Sequence, residues 1–167
     1  ILKEKKPLFF VAENVVGLLS PRHRTDLDAF IKAFNEAGYD VDYRVYLTSD
    51  YGIPQDRERV IFVGYRKDLK KKFSGLTKFK NRTLLKDTLQ SMPTPNATKN
   101  GKTNPSHPMK NHEYMLGSFS SMFMSRNRVR GWGDTSFTIL ATARQTPLHP
   151  GAPKMVKVGI DQFSFVT

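Results

Sequence analysis

The chain has 167 residues and 38% hydrophobic content, enough for one domain or one and a half with a modest core, and no apolar run reaches the roughly 18 residues of a membrane helix. Lys and Arg number 27 against 15 Asp and Glu, giving a formal charge of +12 and a calculated pI of about 10.0, which favours a polyanionic partner. There is no cysteine, which excludes disulfides and thiolate metal sites, and His23, His107, His112 and His149 lack ligand spacing, so no metal is expected.

Lys3, Lys5 and Lys6 precede a short apolar run, Pro7 to Ala12, that predicts a strand ending at Glu13-Asn14-Val15. After a linker through Ser20-Pro21, Thr25 is the expected N-cap of a helix carrying Leu27, Phe30, Ile31 and Phe34 on one face, and Gly38 fits its stop. Val41, Tyr43, Val45 and Leu47 alternate with polar residues and predict a strand with one more exposed face. Gly52 and Pro54 then mark a loop, and Val60 to Val63 read as a buried strand. The first two strands, joined by a helix, are expected to run parallel, and the last two to pair antiparallel at a sheet edge. The fold class is therefore α/β, the closing strands of a Rossmann-like sheet. Leu8 to Ala12, apolar on both faces, demands neighbours these residues do not supply.

Arg66 to Lys86 holds nine Lys and Arg against Asp68 alone, either a solvated surface or a phosphate-binding one. Thr83 to Ser91 predicts a short helix with Leu84, Leu85 and Leu89 inward. Met92 to Pro108 is rich in Pro, Asn, Thr, Lys and Gly and reads as a loop. Beyond it, short alternations predict irregular, strand-rich structure. The expected division is 1–85, a linker over 86–110, and a small strand-rich domain over 111–167.

Chemistry concentrates in two places. A carboxylate at the carboxyl end of a parallel strand, Glu13, sits where open α/β sheets place their chemistry. In an extended chain Gln55, Arg57 and Arg59 share a face, and fixed guanidiniums suit phosphate oxygens or a base edge. The plain alternative is a solvated turn in which Asp56 and Glu58 pair the arginines.

Glu13-Asn14-Val15 after an apolar strand, followed some forty residues on by Gln55-x-Arg57-x-Arg59 before another, resembles the DNA cytosine-5 methyltransferases. Asn111-His112-Glu113-Tyr114, Ser125-Arg126-Asn127-Arg128-Val129-Arg130, Phe137-Thr138-Ile139 and Pro147-Leu148-His149-Pro150-Gly151-Ala152-Pro153 are similar to the target-recognition region of bacterial restriction-modification enzymes, especially the branch that methylates GGCC. Leu140, Thr142 and Ala143 depart from that branch. The resemblance runs from Pro7 to about Met155 and implies duplex DNA as partner and S-adenosylmethionine as methyl donor. It implies that Glu13 holds N3 and the exocyclic amine of a flipped cytosine, that Arg59 approaches the cytosine carbonyl oxygen, and that Gln55 and Arg57 contact DNA, Arg57 at its backbone. Arg126, Arg128 and Arg130, on one face at strand spacing, with Arg144 from a neighbouring strand, are expected to read guanines.

The family's glycine-rich cofactor motif, its Pro-Cys nucleophile and its closing Arg-Glu-x-Ala-Arg and Gly-Asn-Ala-Val-Pro patterns are absent from these residues. An internal fragment or one subunit of a split enzyme is therefore expected, inactive alone and prone to self-association. It would be cytoplasmic and bacterial, associated with the nucleoid; a stand-alone DNA-binding module is the alternative.

Overall fold

A computed structural model describes residues 1–97, 108–109, 112–114, 129–139, 148–160 and 162–166. Two compact units result, one formed by residues 1–51 and 57–80, the other by 52–56 and 81–167. The second unit thus begins before the 86–110 linker expected from sequence, and it takes Gly52–Asp56 out of the middle of the first.

In the first unit a short helix α1 (Leu2–Lys5) precedes β1 (Phe9–Val15), helix α2 (Arg24–Glu36), β2 (Tyr39–Leu47) and β3 (Glu58–Arg66). The sheet order is β1-β3-β2, with β3 antiparallel to both neighbours. β1 and β2 therefore run parallel across the α2 crossover, as expected, but they are not adjacent. The antiparallel β2–β3 pair is present, yet β3 is the central strand, and the sheet is a small antiparallel one. Burial decides this order. Val60 and Phe62 on β3 are 0% and 3% exposed and need cover from both sides, which a central position supplies. Gly64 faces Phe10 of β1 in register, and a Cβ there would run into the Phe10 ring, so β1 fits against β3 only where the side chain is missing.

α2 packs on one sheet face through Leu27, Ile31 and Phe34, while Phe30, expected inward, is largely exposed because it lies at the margin of that stripe. Leu18 and Leu19, from the 3₁₀ turn after β1, close the core around Val60 and Phe62. Gly38, at φ 95, ends the helix in the left-handed region that its missing Cβ permits. On the opposite face Phe9, Val11 and Val15 are more than half exposed.

In the second unit α3 (Leu85–Leu89) is shorter than the Thr83–Ser91 expectation, its first turn fixed by the Asp87 carboxylate accepting from the Leu84 amide at 2.8 Å. Parallel β4 (Asn96–Ala97) and β5 (Glu113–Tyr114), and an antiparallel hairpin of β6 (Lys154–Gly159) with β7 (Gln162–Val166), follow. Isolated bridges join Gln55 to Ser136 and Val129 to Leu148.

Candidate active and nucleic-acid-binding sites

Glu13 and Arg59 meet at one end of the sheet. Antiparallel register sets Glu13 opposite Ile61 and Val15 opposite Arg59, so Glu13 and Arg59 are diagonal neighbours on the same face. Arg59 Nε lies 2.5 Å from Glu13 Oε1, and one terminal nitrogen of Arg59 donates to the Glu58 carbonyl at 2.7 Å. The buried Nε has no aligned acceptor, so its contact with Glu13 is a charge pair without hydrogen-bond geometry. The arginine side chain is 20% exposed and the glutamate 51%. The arginine is thus a fixed cation under a half-exposed carboxylate, and such a pair contributes only about 0–1 kcal/mol to stability. It sets an acceptor and a donor fork side by side.

The surroundings are ordered by short links. Asn14 Oδ1 accepts from the Val15 amide at 2.8 Å, and the Arg57 amide donates to Thr48 Oγ1 at 3.2 Å while the Arg57 carbonyl accepts from the Thr48 amide at 3.0 Å. Gln55, Arg57 and Arg59 do not share one element. Arg59 is in β3, Arg57 precedes it, and Gln55 belongs to the second unit, where it bridges Ser136. Tyr46 escaped the sequence because its alternation put it on the exposed face of β2. It is 8% exposed, directly opposite Arg59, its ring against Tyr51, with a buried hydroxyl that has no partner. A tyrosine among alternating aromatics was the available signal.

In the second unit Arg130 lies over the Phe137 ring at 3.9 Å, its Nε buried without a partner. It lines a cavity of about 220 Å3 with Leu85, Leu89, Met92, His112 and His149. His149 packs edge-on to Trp132 and His112, and its Nδ1 accepts from the Gly151 amide at 3.1 Å, which puts the proton on Nε2. Burial, then the neighbouring His112, hold the His149 pKa below the usual 6.5, against a weak opposing pull from the Leu89 carbonyl that falls short of a formed hydrogen bond. Arg126, Arg128 and Arg144 lie outside the described residues.

Among the described residues no three His, Cys, Asp or Glu gather as metal ligands, and no helix is long and apolar enough to cross a membrane. Nor do they fit S-adenosylmethionine by themselves. β1 runs into a turn with Gly17 alone, not a glycine-rich cradle, and the hollow beside β2 is lined by Asp42 already bound to Arg44 and by Lys71 and Lys72.

The fold is shared with the crystal structure of a protein described as a DNA modification methyltransferase encoded within a prophage (E. coli), at a TM-score of 0.56 and 20% identity, covering 89% of this chain and 57% of that one. Residues 1–164 match the family of C-5 cytosine-specific DNA methylases, and the chain belongs to that family. It is 47% identical over 167 residues to the type II methyltransferase M.MthTI of Methanothermobacter thermautotrophicus, covering 99% of this chain and 51% of that protein. Over 172 residues it is 46% identical to the type II methyltransferase M.NgoPII of Neisseria gonorrhoeae, with 99% and 50% covered. The chain spans about half the length of these relatives.

Proposed function

We propose that these residues form the base-holding and target-reading part of a DNA cytosine-5 methyltransferase of a restriction-modification system, cytoplasmic and nucleoid-associated, acting on a GGCC-like duplex site. The observation that carries the reading is the Glu13–Arg59 pair at a sheet end, in a chain whose residues 1–164 match the cytosine methylase family. Carbon 5 of cytosine takes a methyl group only after a nucleophile adds at carbon 6 and charge at N3 is stabilised. S-adenosylmethionine would supply the methyl group from a companion segment that also carries the thiolate, because these residues contain no cysteine. The residues in hand do the holding. On entry of a flipped base, Glu13 turns from Arg59 to N3 and the exocyclic amine, sharing a proton there, while Arg59 turns to the carbonyl oxygen. Arg57 and Gln55 contact the DNA, Arg57 its backbone. Arg126, Arg128 and Arg144 read guanine, with Arg130 touching DNA through its terminal nitrogens.

The test reconstitutes this chain with a separately expressed segment bearing the Pro-Cys motif and measures transfer of labelled methyl groups. Glu13→Gln keeps size and hydrogen bonding but cannot share the proton, and is expected to lower the rate by about 10²-fold or more with DNA affinity little changed. Arg59→Ala should also lose turnover, and Arg57→Ala chiefly affinity. Unchanged turnover in Glu13→Gln would reduce Glu13 to a structural carboxylate.

A further inference from the structure

We propose that the segment Lys70–Lys80 is a DNA-backbone strap, an anchored line of lysines that takes phosphates of the duplex flanking the target base. It rests on the DNA methyltransferase reading above and names a surface which that reading leaves unused.

Residues 70–80 contain five lysines and no Asp or Glu. Lys78 is paired with Asp50 at 2.6 Å, whereas exposed Lys70, Lys71, Lys72 and Lys80 have no carboxylate within ion-pair distance among the described residues. A run whose only task was to stay hydrated would need no fixed path. This one has neither helix nor strand of its own and is nevertheless tied down at two places. Arg44, from β2, donates to the Ser74 carbonyl at 2.9 Å and the Phe73 carbonyl at 3.4 Å. Its guanidinium lies 5.9 Å from the Phe73 ring centre. Gly75, at φ 93, makes room for it, since a Cβ there would strike that guanidinium. At the other end the Phe79 amide donates to the Asp50 carbonyl at 2.9 Å, next to the Lys78–Asp50 ion pair.

Asp50 follows β2, whose last residue, Leu47, pairs with Glu58, the neighbour of Arg59. The strap therefore ends at the same end of the sheet as the Glu13–Arg59 pair. Lys72 and Lys80 are eight residues apart, at most about 29 Å of extended chain, which matches roughly eight base pairs of phosphate backbone. Fixed like charges along such a line repel one another, and a polyanion relieves that repulsion. Asp40 and Asp42 border the Lys71–Lys72 end, but Asp42 is engaged by Arg44 at 3.2 Å. An anionic membrane fits less well, because the strap offers no amphipathic helix to lie in the interface.

The experiment titrates the 167-residue chain against short labelled duplexes, one with a GGCC site and one scrambled, at salt from about 50 to 200 mM. Lys71→Gln/Lys72→Gln/Lys80→Gln should weaken both duplexes alike and lower the slope of log affinity against log salt by about 2.7, three contacts at about 0.9 each. The three arginine replacements at the same positions should restore the slope. Circular dichroism of the glutamine variant should match the parent, because all three side chains are exposed. A parental chain that binds duplex with a slope the glutamine variant leaves unchanged overturns the strap alone. A parental chain that binds no duplex at any salt overturns the strap and the DNA reading together. Retention on anionic phospholipid vesicles that the variant loses, with duplex binding unchanged, assigns the strap to a lipid surface and also overturns it.

Discussion

His149 is a charge-capable ring held neutral. Its folded-state pKa lies below 6.5, so its contribution to stability is fully present above about pH 6.5 and is lost as pH falls through that value, where the unfolded chain binds the proton and the folded one resists it. Trp132, the one tryptophan, is 5.2 Å from the His149 ring and reports on this region by its fluorescence. Thermal unfolding followed by that fluorescence should shift to lower temperature between about pH 7 and pH 5. His149→Gln should flatten the shift, and an equal pH slope in parent and variant would show that some other group carries it. The sequence could not reveal this ring's setting, since its Trp132, His112 and Gly151 contacts arise only on folding. Glu13 and Arg59 were legible as candidates from motif order and strand context, but their diagonal contact depends on the β1–β3 register, which no local pattern specifies. Tyr46 shows the limit of period-two reasoning, for Tyr51 covers a face that alternation alone marks as open.

At the scale of elements, α2 and the β3 core were readable because a stripe at helical spacing and a continuous apolar run are local signals. The insertion of β3 between β1 and β2 was not, because it depends on covering Val60 and Phe62 from both sides and on Gly64 meeting Phe10 across the sheet. Gly64→Val should displace the Phe10 ring from its contacts with Phe34 and Tyr39, centroids now 4.7 and 5.3 Å away, and destabilise the first unit by about 1–3 kcal/mol in urea titration. A loss below the error of that titration would mean that the ring repacks freely. β1 also carries Val11, 61% exposed, on a strand with one paired edge among the described residues. Such an edge templates association, so sedimentation should show concentration-dependent self-association of the chain. Val11→Lys should reduce it at little cost in stability, whereas a parent that stays monomeric at every concentration would remove β1 as an association surface.

For the whole molecule, the proposed function makes target choice the task of Arg126, Arg128 and Arg144, and that proposal is open to direct test. Single replacement of Arg126, Arg128 or Arg144 by Ala should cost roughly 1–3 kcal/mol on the cognate site and relax discrimination at one base pair. Equal losses on cognate and mutated sites for all three would mean that they hold phosphates and read nothing. The composition change near residue 86 lies close to residue 81, where the longer segment of the second unit begins. The path of the chain was not legible in the sequence, because Gly52–Asp56 reads as a plain loop between two strands, and nothing local ties it to residues some eighty positions on. Those five residues leave the first unit between β2 and β3 and join the second, where the Asp56 and Ser136 amides donate to the Ser136 and Pro54 carbonyls, both at 2.8 Å, and Thr138 Oγ1 donates to the Asp56 carbonyl at 2.6 Å.

The chain therefore passes from one unit to the other three times, and no single cut yields two intact folding pieces. A product beginning at residue 81 would have Ser136 and Thr138 facing water where Pro54 and Asp56 now stand. A graft of the second unit onto another sheet would have to bring Gly52–Asp56 as well. A recombination breakpoint that respects only the composition change near residue 86 would inherit a second unit without its Gln55–Ser136 bridge and the hydrogen bonds that Pro54 and Asp56 make with it.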